Sequence, residues 1–299
     1  TLEFENWPLI KATGFREYDA RWWFGVPGAK TAPELNLMGV TALGMGIGTL
    51  LGEFGVKREV VTGHDFRAYS SSIKTALITG LLASGCRVHD IGMAITPMSY
   101  FAQFALDVPS VAMVTASHNE NGWTGVKMGS RRPVTFGPEE IGRLKEIVLG
   151  AAFDLKGGGE YVFEENFGDR YIADLTNRPK LKRKIRVVAA CGNGTAGAFA
   201  PRVLEALGAE VIPMDTNLDY TFPHYNPNPE DLEMLHAMSK RVLAEKAEVG
   251  LGFDGDGDRC GVIDNTGDEI FADKVGVMLA RDISALHPNS TFVVDVKST

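Results

Sequence analysis

Short apolar runs bounded by glycine and polar residues recur along this 299-residue chain, separated by longer stretches of helical periodicity. The run that opens at Ser110 and ends at Val114 is apolar throughout its interior, the mark of a strand buried on both faces. Similar runs predict strands over 59–61, 87–91, 185–189, 208–212 and 249–253, with an extended stretch over 262–264. Between them the pattern predicts a glycine-rich core helix over 35–51, opened by Pro33-Glu34, and a helix over 72–84 ended by Gly85. Another spans 138–149 with Ile141, Leu144, Ile147 and Val148 on one face, followed by helices over 166–177, 198–207, 229–246 and 273–286. The last apolar run, 291–296, predicts a strand.

The order strand, helix, strand appears twice, closing on Ser-Gly-Cys-Arg-Val (84–88) and on Leu-Gly-Ala-Glu-Val (207–211). The weak self-similarity points to structurally related α/β domains in tandem rather than one large sheet. Gly157-Gly158-Gly159 is the clearest linker, and the pieces after residue 264 read as the opening of a third unit. Gly44 and Gly48, four apart, predict close helix packing in the core.

Composition narrows the class. Hydrophobic residues at 44% and charged residues at 23% are ordinary for a globular protein, and a net charge of −8 argues against a nucleic-acid or anionic-membrane surface. Three widely spaced cysteines without a C-x-x-C pair read as reduced thiols, so a cytoplasmic location is expected. The opening residues lack the apolar segment of a secretory signal, and both ends of the chain look cut.

Two stretches carry chemistry. The buried strand at 110–114 runs into Thr115-Ala116-Ser117-His118-Asn119, with Lys127 ten residues past the serine. A hydrolase triad is poorly supported, because His118 is adjacent to Ser117 and no Gly-x-Ser-x-Gly elbow is present. A phosphorylated Ser117 is a different matter, since a divalent ion and nearby cations can hold its charge. The second stretch, Asp254-Gly-Asp-Gly-Asp-Arg259, sets three carboxylates at alternate positions, with glycines that let them converge on one ion. Oxygen-only ligands suit Mg²⁺ or Ca²⁺. An EF-hand is excluded, because its sixth and twelfth positions would be Arg259 and Asn265; a solvated acidic turn without metal is the alternative. Gly192, Gly194 and Gly197 have dinucleotide-fingerprint spacing but read as a packing turn. His64, Asp65 and Arg67 are either substrate groups or an Asp-Arg pair that buttresses a loop, the second being the preferred reading.

Together these residues resemble the α-D-phosphohexomutase family. The resemblance rests on Phe-Arg-x-Tyr-Asp-x-Arg (15–21), Thr-Ala-Ser-His-Asn with Gly-x-Lys (115–127), Asp-Gly-Asp-Gly-Asp-Arg (254–259) and Asp-Val-Lys-Ser (295–298). It implies tandem three-layer α/β/α domains: domain I over 1–158, domain II over 159–263 and the start of a truncated domain III over 264–299, with a fourth absent. It further implies phosphate carried on Ser117 and Mg²⁺ held by that phosphate with Asp254, Asp256 and Asp258. By the same resemblance Lys127 is a candidate general acid/base, Arg21 and His118 are supports, and Arg259 and Lys297 are contacts to sugar or phosphate. The implied reaction moves phosphate between positions 1 and 6 of a hexose monophosphate through a hexose 1,6-bisphosphate, with neither nucleic acid nor membrane as partner. Impaired turnover is expected of a chain this short. The alternatives are a phosphoglucosamine or phosphoacetylglucosamine mutase, or a non-catalytic sugar-phosphate-binding fragment. Departures from the family pattern are Glu120-Asn121 for two prolines, Trp123-Thr124 for Tyr-Asn, Trp22 for glycine and His64 in the Gly-Arg-Asp loop.

Overall fold

A computed structural model describes residues 6–296 and 298, so Lys297 lies outside the described residues. The first unit is a six-stranded sheet of β1 (Ala20–Trp23), β2 (Glu59–His64), β3 (Arg87–Met93), β4 (Ser110–Val114), β5 (Trp123–Gly129) and β6 (Glu160–Phe163). Its spatial order is β1-β5-β4-β2-β3-β6. Strands β4, β2, β3 and β6 run parallel, whereas β5 is antiparallel to β4 and β1. Successive residues of the central strands feed opposite faces, as the pleat requires. Val60, Ala112 and Val114 join the core beneath helices α1 (Leu37–Glu53) and α2 (Ser70–Ala83). Val61, Val111 and Met113 face the other layer, where α3 (Thr96–Ala105) packs. Helix α4 (Pro138–Leu149) matches its expected span and buries the four apolar residues that predicted it.

Helix α5 (Phe167–Thr176) and α6 (Ala200–Ala206) share one apolar cluster, in which Phe167 and Tyr171 meet Met98 of the first unit and Phe199 of the second. The second unit's sheet contains β7 (Arg186–Ala190), β8 (Glu210–Met214), β9 (Val249–Phe253), β10 (Cys260–Asp264) and β11 (Glu269–Ile270), in the order β11-β10-β9-β7-β8. Helix α7 (Leu232–Glu245) covers one face with Met234, Met238 and Val242. Helix α8 (Ala272–Leu286) buries none of its residues. Among the described residues, no helix is long and apolar enough to cross a membrane.

Several expectations move. The border expected at 158/159 falls inside the first sheet, because β6 pairs in parallel with β3. The border at 263/264 shifts likewise, because β11 completes the second sheet. The first long helix is started by Asn36, whose Oδ1 accepts the Gly39 N–H at 2.8 Å, and not by Pro33. Asp231 does the same for α7, accepting the Glu233 N–H at 3.0 Å, so Pro229 stays outside the helix. The strand expected over 291–296 has no ladder partner among the described residues, and Val293 is 97% exposed.

The expected close packing of the glycine-rich helix is present. A Cβ on Gly80 would lie 2.0 Å from the Thr41 carbonyl oxygen, and one on Gly44 would lie 2.2 Å from that of Leu77. Backbone cannot yield as a flexible side chain can. Gly80→Ala is therefore expected to destabilise the protein by about 2–3 kcal/mol, measured by denaturant unfolding, whereas Gly142→Ala, which meets nothing within 4 Å, should cost nothing.

Candidate active site

Both sheets deliver their chemistry at the C-terminal ends of parallel strands, where open α/β sheets place ligands. β4 ends in the serine loop and β9 ends in the triple-Asp loop. The two meet across the units: Ser117 Oγ lies 3.4 Å from Asp254 Oδ2. A Cβ on Gly255 would sit 2.7 Å from the Ser117 carbonyl oxygen, so the close approach of the loops requires glycine there.

Ser117 has φ of 54°, a left-handed conformation that a non-glycine residue holds only when its surroundings impose it. Those surroundings are a buried network. Asp65 pairs with Arg67, and it accepts from Ser70 Oγ at 2.5 Å and from Thr115 Oγ1 at 2.9 Å. Thr115 Oγ1 in turn accepts the Ser117 N–H at 2.9 Å. Arg67 Nη2 donates to the Ser117 carbonyl at 3.0 Å and to that of Asn119 at 2.6 Å. The Asp-Arg pair thus buttresses a loop, and that loop is the one carrying the serine. On the far side Arg21 pairs with Asp19 at 2.8 Å and donates to the Asn119 side chain.

The loop lacks the prolines at Glu120-Asn121, and another device tethers it. The Tyr69 hydroxyl accepts the Gly122 N–H at 2.7 Å and donates to the Trp123 carbonyl at 2.8 Å. Burial pushes this phenol up to about 12, so it keeps the proton it donates. His118 Nδ1 is 3.2 Å from Ser117 Oγ. No carboxylate bonds its other nitrogen among the described residues, so a Ser-His-acid relay is not assembled. Burial, then Arg259 and Arg21, push the imidazole below its ordinary value, which leaves it neutral near pH 7.

In the triple-Asp loop, Asp254 Oδ1 accepts the N–H groups of Asp258 and Arg259, each at 3.0 Å. Asp256 Oδ2 accepts from Thr96 Oγ1 at 2.7 Å and from Lys127 Nζ at 2.8 Å. Lys127 also pairs with Asp258. Burial works against the ammonium, but the two carboxylates outweigh it and hold Lys127 protonated. Burial and the neighbouring Asp256 and Asp258 raise the Asp254 carboxyl. One oxygen from each aspartate lies within 4.8 Å of the others, and Asp256 Oδ1 is buried with no hydrogen-bond partner. Lys127 pairs with Asp256 and Asp258, and Asp254 has no cation of its own in the cluster among the described residues, so its ionised form calls for a further positive charge. The donor set therefore fits a small, oxygen-seeking divalent cation.

Arg259 pairs with Glu230 at 3.0 Å beside this loop. The Gly192–Gly197 turn is packing: Cβ atoms there would press on Pro227 at 2.8 Å and the Thr216 carbonyl oxygen at 2.2 Å, which leaves a pyrophosphate no face. Thr195 ties this turn to the first unit by accepting the Phe66 N–H at 3.0 Å. Sequence reasoning missed Tyr69 and Thr96, and it placed Thr115 in the serine motif without the bonds that Thr115 makes to Asp65 and Ser117. For Thr96 the signal was a polar side chain just after an apolar run, which is common and uninformative alone, and Tyr69, behind Arg67 and Ala68, carried not even that.

Residues 13–154 match the model of phosphoglucomutase/phosphomannomutase alpha/beta/alpha domain I, and residues 169–267 match that of domain II. The chain belongs to the phosphoglucomutase/phosphomannomutase family. A phosphomannomutase/phosphoglucomutase of Pseudomonas aeruginosa is 35% identical over 295 residues, covering 98% of this chain and 61% of that protein. A phosphoglucomutase of Neisseria meningitidis is 32% identical over 285 residues, covering 95% and 60%. The crystal structure of a phosphoglucomutase/phosphomannomutase family protein from Burkholderia thailandensis superposes with a TM-score of 0.85 at 32% identity, covering 94% of this chain and 60% of that one. The chain thus spans about three fifths of the length of these relatives.

In this family member the Asp65–Arg67 pair is a structural keystone. Arg67→Ala should cost about 3–5 kcal/mol, because it strands a buried carboxylate. Urea unfolding checks this, and a loss below about 1 kcal/mol would show the pair to be dispensable.

Proposed function

We propose that the protein to which this chain belongs transfers phosphate within hexose monophosphates of the mannose or glucose type, with Ser117 as the phosphoryl carrier. One observation carries the reading: Ser117 Oγ and the Asp254 carboxylate face each other at 3.4 Å across the two units, with Lys127 on the same aspartate cluster. The names of the Pseudomonas and Neisseria relatives support the substrate class.

In the phosphorylating direction, Ser117 Oγ attacks one phosphorus of a hexose 1,6-bisphosphate. A bond from Ser117 Oγ to phosphorus forms as the bond from phosphorus to the sugar oxygen breaks. The leaving sugar oxygen takes a proton, and Lys127, held protonated by Asp256 and Asp258, is the acid assigned to give it. The Ser117 proton has an acceptor in neutral His118, whose Nδ1 lies 3.2 Å away. In the opposite direction the Ser117 phosphate passes to the free hydroxyl of a hexose monophosphate, giving the bisphosphate, which turns end for end before its other phosphate returns to Ser117 and the isomeric monophosphate leaves. Asp254, Asp256 and Asp258 would hold Mg²⁺, which when bound neutralises charge on the transferring phosphoryl oxygens. Arg21 keeps Asn119 and the serine loop in place, and Arg259 beside the cleft is assigned to sugar or phosphate, as is Lys297. Turnover by this chain alone is expected to fall short of phosphoryl exchange at Ser117, since it spans about three fifths of its relatives.

Two measurements follow. Incubation with glucose 1,6-bisphosphate and Mg²⁺ should give a species one phosphate heavier by intact mass, and Ser117→Ala should abolish it. Calorimetry should find Mg²⁺ affinity lowered at least about tenfold in Asp256→Asn; unchanged affinity would make the loop an ordinary acidic turn.

A further inference from the structure

The proline-walled segment between β8 and α7 reads in the sequence only as a loop. In the fold, two of its consecutive residues touch both halves of the site. Asn226 Nδ2 donates to the His118 carbonyl at 2.6 Å. The Pro227 carbonyl accepts the Gly255 N–H at 3.1 Å. His118 follows the serine and Gly255 lies between Asp254 and Asp256, so one short stretch grips a backbone group beside each partner of the transfer.

The stretch is stiff enough to serve as a gauge. Pro227 and Pro229 are buried, and Tyr225, also buried, donates to Asp215 Oδ2 at 2.6 Å. Arg67 lies over the Phe222 ring at 5.7 Å, and the same guanidinium holds the Ser117 and Asn119 carbonyls. The carbonyls of Ser117, His118 and Asn119 are therefore all claimed by side chains, two by Arg67 and the middle one by Asn226 across the unit boundary. A serine with a left-handed backbone cannot hold its own direction without such restraints.

We propose that Asn226 is a positioning residue for phosphoryl transfer: its amide, carried on a rigid prolyl segment, fixes Ser117 Oγ relative to the triple-Asp loop. The proposal rests on the reading of Ser117 as phosphoryl acceptor. Rate is steep in such positioning, a misplacement of about 1 Å costing on the order of 100-fold.

The test compares unsubstituted chain, Asn226→Ala and Asn226→Asp by rapid-quench intact mass, following phosphate arrival on Ser117 from glucose 1,6-bisphosphate with Mg²⁺. In Asn226→Ala the rate at saturating bisphosphate should fall about tenfold or more. The half-saturating bisphosphate concentration and the Mg²⁺ affinity should each stay within about twofold, and the melting temperature should drop by no more than about 3 °C, the scale of one hydrogen bond. Asn226→Asp, which keeps the shape but sets a carboxylate against a carbonyl, should be at least as slow. An unchanged rate in Asn226→Ala, or a loss shared by half-saturation, metal affinity and melting temperature, overturns the proposal. If the unsubstituted chain takes no phosphate, the reading of Ser117 falls and this proposal with it. A phosphorylated unsubstituted chain with an indifferent Asn226→Ala sinks this proposal alone.

Discussion

Three carboxylates on one short loop repel one another, and the structure around them is arranged by that repulsion. Asp254 and Asp256 are buried, where unbalanced charge is most costly. The balance comes from several elements at once: Lys127 from β5, Thr96 from the start of α3, and the Asp258 and Arg259 N–H groups from the loop itself. Each donor must arrive within about 3 Å to be useful. That requirement fixes β5 against β4 and the second unit against the first.

The fold meets the requirement by putting two strand ends face to face. β4 and β9 both stop at the same side, and the apolar cluster shared by Met98, Phe167, Tyr171 and Phe199 holds the units together behind them. A strained serine is tolerable in this setting because Arg67, Thr115 and Arg21 restrain its loop from three directions. The same groups that balance charge therefore also set geometry, so removing one is expected to disturb both.

Legibility in the sequence followed the strength of local pattern. Apolar runs such as 110–114 and 249–253 gave strands that form as read, and the four-residue apolar face of α4 gave its exact span in the sequence. The serine and triple-Asp loops stood out because three alternating acids and a Ser-His-Asn turn are rare patterns; their 3.4 Å approach is a finding of the fold. What stayed hidden was non-local. β5 mixes Trp, Thr, Gly and Lys with apolar residues, and only its antiparallel pairing to β1 and β4 makes it a strand. β6 lies past a triple glycine that signalled a linker, yet it adds to the first sheet by pairing with β3. Residues 291–296 have strand composition without a partner among the described residues, and composition alone forms no ladder. Tyr69 was unreadable because its two bonds reach more than fifty residues along the chain.

The central claim is that the serine and the three aspartates are halves of one phosphoryl-transfer site. The most direct test is electron–nuclear double resonance on phosphorylated protein loaded with Mn²⁺ in place of Mg²⁺. The account predicts a ³¹P coupling of the size given by a phosphate bound directly to the ion, lost in Asp256→Asn. A Mn²⁺ signal without ³¹P coupling, on protein shown by mass to carry phosphate on Ser117, would contradict it.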